Sequence, residues 1–333
     1  MLLWFGFLAC TCVIVVSGSR LSRYGDIIAE KTGLGRTWIG VVLMATVTSL
    51  PELVTGLSSV TYAGTPDIAV GDVLGSCVFN MLILVLLDAV YRVKPISAKA
   101  HQGNVLSAGF GILLLGLVGI SIFVCNALPV LGWIGVYSFI FMGIFFLAMR
   151  MVFQYEKKQR SAYMKEVAEE PKYAHITAAK AARNYGFHAA VVIMAAIFLP
   201  SIGEGIAETT GLGQTFVGTL FIALSTSLPE VVVSLAAVRM DAVDLAIGNL
   251  FGSNMFNILI LAVDDIFFTA GPLLSSANPN HLISALSAMA MTSVAIIGLT
   301  YRSDKKRLLG WDSAGLVLLY IVNLVLLYVQ REP

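Results

Sequence analysis

Charge, histidine and cysteine are all scarce in this chain. Only 12% of its 333 residues are charged while 58% are hydrophobic, against about 25% charged in an average soluble domain. That imbalance excludes an ordinary water-soluble fold and marks an integral membrane protein. The four cysteines, Cys10, Cys12, Cys77 and Cys125, lie in or beside apolar runs without the paired spacing of zinc ligands, so they read as packing or lipid-facing residues. The four histidines, His101, His175, His188 and His281, fall at loops or span ends. No Ser/His or Asp pair with catalytic context remains inside the apolar runs, which argues against a membrane enzyme. The first apolar run has no basic residue ahead of it and no clear small-residue cleavage site, so a retained helix is expected rather than a secretory signal.

Ten apolar runs of membrane-crossing length are present, near 2–19, 38–62, 67–91, 103–124, 127–149, 187–207, 213–238, 245–268, 281–300 and 310–329. The basic residues test that count, because Lys and Arg collect in cytoplasmic loops. With both termini outside, every Lys and Arg except Arg331 falls in an inner loop. The net charge of +1 carries no message about partners, because the charge is sorted by loop. The longest polar stretch, 154–184, joins the two halves. Its Ala-rich end, HITAAKAARNYGFH, reads equally as an amphipathic surface helix or a solvated linker. The expected division is therefore a five-helix half over 1–150, a cytoplasmic linker over 151–186, and a second five-helix half over 187–333.

One stretch of about 60 residues is written twice, from Thr32 to Val90 and from Thr210 to Phe268. TGLGRTWIG returns as TGLGQTFVG, ATVTSLPELV as ALSTSLPEVV, and DIAVGDVLGSCVFNMLIL as DLAIGNLFGSNMFNILIL. The offset is 178 from Glu52 to Glu230 and 177 from Asp67 to Asp244, so the copies differ by one loop residue. An odd number of spans per half sends the second copy into the membrane from the opposite side. Such inverted repeats are a mark of transporters built around one central site.

The chemistry concentrates where each copy must break its helix. Pro51 and Pro229 lack an N–H, which leaves the carbonyls of Val47 and Ser225 without their helical partners. Broken backbone survives in lipid only where protein, water or an ion completes it. Ala45, Thr48, Ser49 and Glu52 share one helical face, as do Ser76 with Asn80 and Ser253 with Asn257. If the halves pack about a twofold axis in the membrane plane, these faces and their counterparts Thr226, Ser227 and Glu230 meet at mid-depth. Two carboxylates ringed by hydroxyl, amide and carbonyl oxygens suit a hard cation such as Ca²⁺, and their charge matches one divalent ion. A carboxylate in the bilayer is costly and marks a pathway more often than a structural accident. Gly71, Gly75, Gly248 and Gly252 form small-xxx-small pairs that read as close helix packing, and Asp67 and Asp244 read as helix caps at span starts.

With VTSLPE followed by GDVLGSCVFN, and STSLPE followed by GNLFGSNMFN, the chain resembles the sodium/calcium exchanger family of the cation/calcium exchanger superfamily, prokaryotic type, over nearly its whole length. The resemblance implies an all-α membrane protein of ten transmembrane helices, arranged as two inverted five-helix repeats with broken helices at a central ion site. The second, third, seventh and eighth helices would form the ion-binding core, and the first and sixth would slide. It implies ion-coordinating roles for Glu52 and Glu230, assisted by Thr48, Ser49, Ser76, Asn80, Thr226, Ser227, Ser253 and Asn257, with the backbone carbonyls of Ala45 and Ala223 as sodium ligands. It further implies secondary-active antiport of Ca²⁺ for Na⁺ in the cell (inner) membrane, with no cofactor beyond the transported ions. The implied partners are the lipid bilayer and those ions, with no nucleic acid, and a monomer is compatible with the reading. Coupling to H⁺ in place of Na⁺ is the alternative, and a cation channel is a further one. The chain departs from the family pattern at Val47 and Ser225, where glycine is usual, and at Asp72 and Cys77, where asparagine is usual.

Overall fold

The computed structural model describes residues 2–91, 95–124, 127–163, 172–173, 175–210, 225–301 and 310–330. It is built almost wholly from helices: α1 (Leu2–Thr32), α2 (Arg36–Ala63, broken), α3 (Pro66–Val90), α4 (Gln102–Phe123), α5 (Val136–Tyr163), α6 (Ala178–Thr210), α7 (Leu228–Arg239), α8 (Val243–Phe267), α9 (His281–Tyr301) and α10 (Trp311–Val329). Among the described residues, nine of these are long and apolar enough to cross a membrane. The exception, α7, is 12 residues long. Most of the expected span 213–238 that lies upstream of it falls outside the described residues. One departure from pure helix is a two-residue antiparallel ladder, Val130–Leu131 with Ile134–Gly135, turning at Gly132 with φ 69°.

Three helices outrun their apolar stretches. α1 continues past residue 19 to Thr32, α5 starts at Val136 but reaches Tyr163, and α6 begins at Ala178 rather than 187. At about 1.5 Å per residue α1 is roughly 46 Å long, more than a hydrocarbon core of about 30 Å. Its last turns are therefore polar, and Asp26, buried there, accepts from the guanidinium of Arg36 at 2.6 Å and from the Tyr173 hydroxyl at 3.0 Å. The Ala-rich segment after His175 is accordingly the first turns of α6 rather than a separate surface helix.

Burial sorts the helices. α8 is the most enclosed, its side chains buried from Val243 through Asp265 with few exceptions. α10 exposes Leu318, Ile321, Val325 and Val329, an apolar face for lipid. α8 crosses α3, α4 and α5, while α9 packs on α4, α3 and α10. α1 lies along α6, and those two share a small apolar cluster of Ile14, Ala195, Ala196 and Leu199 that is separate from the main core.

Glycines set the tightest crossing. A Cβ at Gly40 of α2 would meet the carbonyl of Leu245 at 2.5 Å, one at Gly248 the carbonyl of Thr37 at 2.7 Å, and one at Gly252 the Cα of Val41 at 2.5 Å. No side chain fits between α2 and α8 there, so their backbones touch, which is the packing role expected of Gly248 and Gly252.

Asp67 and Asp244 do not cap their own helices; neither α3 nor α8 has a side-chain cap at its start. Asp67 accepts from the backbone N–H of Asn278 and faces the His281 imidazole at 3.2 Å. Asp244 accepts from the backbone N–H of His101 at 2.6 Å and the Asn104 amide at 2.8 Å. Each aspartate thus holds the loop of the opposite copy, at positions 177 apart. The helix N-terminus could be capped by any short polar side chain, but only a carboxylate also ties two distant loops.

Candidate ion site

Each TSLPE segment breaks its helix at the serine before Leu-Pro. Ser49 sits at φ −90° and ψ 6°, and Ser227 at φ −84° and ψ 6°. Helix resumes on the far side, with Leu53 N–H donating to the Ser49 carbonyl and Val231 N–H to the Ser227 carbonyl, both at 3.2 Å. Proline at the second position of the new helix has no N–H to lose there. Upstream, α2 widens into a π turn over Gly40–Met44, a distortion that tends to gather at functional sites. The break turns Ser49, Glu52, Ser227 and Glu230 inward, and all four are at most 1% exposed.

The hydroxyls then cross between the copies. Ser49 Oγ donates to Glu230 Oε1 at 3.3 Å, and Ser227 Oγ donates to Glu52 Oε1 at 3.5 Å. The serine of the following helix completes each pair: Ser76 Oγ to Glu52 Oε1 at 3.3 Å, and Ser253 Oγ to Glu230 Oε1 at 3.4 Å. Ser227 and Ser76 lie 3.2 Å apart, and Thr48 and Ser253 lie 3.3 Å apart. Each glutamate is thus held by one serine of its own copy and one of the other.

The remaining oxygens of this ring are left over. Among the described residues, Glu52 Oε2, Glu230 Oε2, Asn80 Oδ1 and Asn257 Oδ1 are buried without a hydrogen-bond partner. Buried polar atoms normally find partners, and an orphaned acceptor costs on the order of 1–3 kcal/mol. Four orphaned acceptors, two of them on carboxylates, make a set of hard oxygen donors suited to an alkali or alkaline-earth cation.

The other expected residues divide. Asn80 donates through Nδ2 to Asn254 Oδ1 at 3.0 Å, and Asn254 donates to the Cys77 carbonyl at 3.3 Å, which fixes the amides that bracket the ring. Cys77 is fully buried beside Asn257 and the Asn254 carbonyl, each 3.8 Å from its sulfur. Thr48 turns to Asn249 Oδ1 at 3.2 Å, and Thr226 donates to Asp72 Oδ1 at 3.3 Å. Both threonines therefore flank the ring and reach toward position 72 or its counterpart 249. The Ala45 carbonyl is buried and already accepts from the Ser49 N–H at 3.0 Å. Ala223 lies outside the described residues.

Sequence reasoning passed over Asn249, Asn254, Ser234 and Asp264. The first three pack around the ring, Asn249 donating to Ser234 Oγ at 3.1 Å. Asp264 is fully buried in α8, and among the described residues nothing hydrogen-bonds to either carboxylate oxygen. An unpaired carboxylate inside an apolar span was the available signal.

An all-helical membrane fold with charged oxygens buried among broken helices is the build of an ion-handling membrane protein. Comparison with known proteins narrows this. The family described as sodium/calcium exchanger protein matches residues 2–153 and 185–329. The chain belongs to that family and is a transporter, not an enzyme. It is 26% identical over 354 residues to the sodium/calcium exchanger MaX1 of Methanosarcina acetivorans, covering 95% of this chain and 96% of that one. It is equally 26% identical, over 292 residues, to the inner membrane protein YrbG of Escherichia coli, covering 87% and 86%. Its fold is that of the solved sodium-calcium exchanger NCX_Mj, with a TM-score of 0.75 at 19% identity over 100% of this chain and 99% of that one.

Proposed function

We propose that this protein exchanges Ca²⁺ for Na⁺ across the membrane by alternating access, with Glu52 and Glu230 as the charged ligands of one shared site. In this reading Ser49, Ser76, Asn80, Ser227, Ser253 and Asn257 complete the ion's shell. Thr48 and Thr226 brace it, and the carbonyls of Ala45 and Ala223 join when Na⁺ is bound. The reading includes ten helices in two inverted five-helix halves, both termini outside and 151–186 as the cytoplasmic linker. The unit is 1–150 plus 187–333, and a monomer suffices for it.

The observation that carries this is the exchange of serines between the copies. A glutamate held jointly by both halves senses their relative position, so ion binding and the arrangement of the halves are coupled. An ion that binds one arrangement more tightly favours it by the difference in affinity. The paired aspartates Asp67 and Asp244, each bonded into the opposite copy, support the inverted arrangement. The names of MaX1 and NCX_Mj support Na⁺ as the counter-ion.

The test is ⁴⁵Ca²⁺ flux in reconstituted vesicles under an imposed Na⁺ or pH gradient. Uptake driven by outward Na⁺ and lost in Glu52→Gln and Glu230→Gln is expected. Uptake that follows only the pH gradient replaces Na⁺ with H⁺ as the coupling ion. Ca²⁺ flux with no ion required on the opposite side makes the protein a channel.

A further inference from the structure

The two copies differ most one helical turn away from the central ring. On α3, Asp72, Ser76 and Asn80 follow one another at four-residue intervals along one face. On α8 the same stripe carries Asn249, Ser253 and Asn257, and runs on to Asp264. The cross-contacts of Asn80 with Asn254 and of Cys77 with Asn254 and Asn257 show α3 and α8 passing in opposite directions. Going from Asn80 back to Asp72 therefore advances α8 from Asn254 toward Asp264, and Asp72 is the charged group that acts electrostatically on Asp264.

Gly56 of α2, one turn past Glu52, leaves the space for this pair. Any Cβ there would collide with the Asp264 carboxylate. Asp264 is 0% exposed and Asp72 8%. Among the described residues, both oxygens of Asp264 and Oδ2 of Asp72 lack hydrogen-bond partners. Among the described residues the one hydrogen bond to the pair comes from Thr226 to Asp72 Oδ1, and no ion pair joins either carboxylate to Lys, Arg or His. Nor do any three His, Cys, Asp or Glu side chains among the described residues gather into one metal-holding group. Asp72 stands between the two groups, acting electrostatically on Glu52 as well as on Asp264.

The equivalent place in the other copy shows what a closed version looks like. There Gly56 is replaced by Ser234, Asp72 by Asn249 and Asp264 by Leu87. Asn249 accepts from Thr48 and donates to Ser234, so the cluster is neutral and satisfied. Replacing an amide, a hydroxyl and a methyl-bearing side chain by two carboxylates and a void does nothing for packing. Two carboxylates near enough to act on one another in low dielectric repel and are costly to desolvate, and a cation held by both relieves both penalties.

We infer that Asp72 and Asp264, with the Thr226 hydroxyl, form a second cation site beside the central one, sized by Gly56 and charged for a divalent ion. This inference rests on the exchange reading above only in taking Ca²⁺ as the ion. An ion held here sits about one helical turn from Glu52. It occupies a station on one side of the ring only, because the other side carries Asn249 and Leu87.

The test is equilibrium ⁴⁵Ca²⁺ binding to the purified full-length protein. Wild type is expected to hold two Ca²⁺ per chain at saturation, and the Glu52→Gln/Glu230→Gln protein one. The residual ion should weaken by about tenfold or more on adding Asp72→Asn or Asp264→Leu, substitutions that copy the residues already folded at Asn249 and Leu87. Gly56→Ala, which keeps both carboxylates and fills their space, should weaken the same ion and leaves the idea testable if an aspartate variant misfolds. No residual Ca²⁺ in the double glutamine protein overturns the second site, as does residual binding indifferent to all three substitutions. A carboxyl pair sharing a proton gives the first of those results. If instead the glutamine changes remove nothing while the aspartate changes do, the central site fails and this one stands.

Discussion

The two copies of the motif agree at the ring and disagree around it. At the ring, Ser49, Glu52 and Ser76 on one side and Ser227, Glu230 and Ser253 on the other make the same four hydrogen bonds. One turn away, Asp72, Gly56 and Asp264 stand opposite Asn249, Ser234 and Leu87. In the proposed exchange, a site that faces both sides of a membrane in turn needs matched ligands in both halves. Its surroundings need no such match, so that is where a difference between the two approaches can be written.

The largest test of that matching is the pair Glu52→Gln and Glu230→Gln. Each leaves one buried carboxylate to bind the ion alone, and each should lower Ca²⁺ affinity by about 3 kcal/mol, roughly a hundredfold, as measured by ⁴⁵Ca²⁺ binding. Losses differing by more than about tenfold would show that the halves are not equivalent at the ring.

The next comparison lies at the far ends of α3 and α8. Asp88 and Asp265 each accept from the backbone N–H eight residues on, Ile96 at 2.9 Å and Leu273 at 2.6 Å. Among the described residues Asp88 has one further donor in Ser313, whereas Asp265 also takes Gly135, Tyr137 and Ser138. Asp265→Asn should therefore destabilise the protein by about 2–3 kcal/mol and Asp88→Asn by about 1 kcal/mol, read as the difference in thermal midpoints in detergent. Equal midpoints would mean that the extra donors contribute nothing.

Ser76→Ala and Ser253→Ala sharpen the comparison further. Each removes one hydroxyl from a glutamate oxygen, and each should weaken Ca²⁺ by about 1.5 kcal/mol, close to tenfold. The two values should agree with one another more closely than either agrees with Thr226→Val, whose hydroxyl serves Asp72.

The smallest effect belongs to the turns that precede α3 and α8. Gly64 has φ 63° and its counterpart Asp241 has φ 67°, the left-handed region that glycine tolerates best. Asp241 occupies it while paired with the Lys99 ammonium and accepting from the Tyr91 hydroxyl at 2.8 Å. Lys99, chiefly through its hydrogen bond, holds this exposed carboxyl below its ordinary value. A depressed folded value gives stability that is present above the unfolded carboxyl pKa of about 3.9 and is lost as pH falls through the folded one. Asp241→Gly gains backbone ease and loses a screened ion pair, for a net change within about 0.5 kcal/mol at neutral pH. The stability of wild type minus that of the variant should fall on acidification, and a rise would contradict the assignment.

The sequence announces which residues the fold gathers into the candidate ring because they are written twice and because proline and carboxylate coincide. It does not announce which glutamate each serine serves. Helical periodicity puts Ser49 near Glu52 on one face, yet its hydroxyl serves Glu230, since the break at Ser49 redirects the chain and the partner helix decides the contact. Asp67 and Asp244 mislead for a related reason: a residue at a helix start looks like a cap until a loop from the other copy arrives. Asp264 is hidden by the repeat itself, because comparing copies rewards identity and its counterpart is Leu87. The helix ends are the least legible part, since a helix can leave the apolar layer and continue wherever polar partners such as Arg36 and Tyr173 wait.

The detached cluster of Ile14, Ala195, Ala196 and Leu199 has a mechanical consequence. α1 and α6 reach the main core near one end, through Leu21, Ile27, Ala181 and Tyr185, while this patch stays outside it, and none of the ring's serines, glutamates or asparagines lies on either helix. Where α1 meets α7, Gly18 lies against Val232 and Val233, Ser22 bonds the Val233 carbonyl at 2.7 Å, and Leu228 and Val232 lean on the patch itself. Interlocked side chains resist translation, whereas a smooth seam lets one rod glide past another. If the protein works as proposed, the two long rods are placed to slide as a shutter across a frame that keeps its grip on the ion, so opening one door need not dismantle the lock.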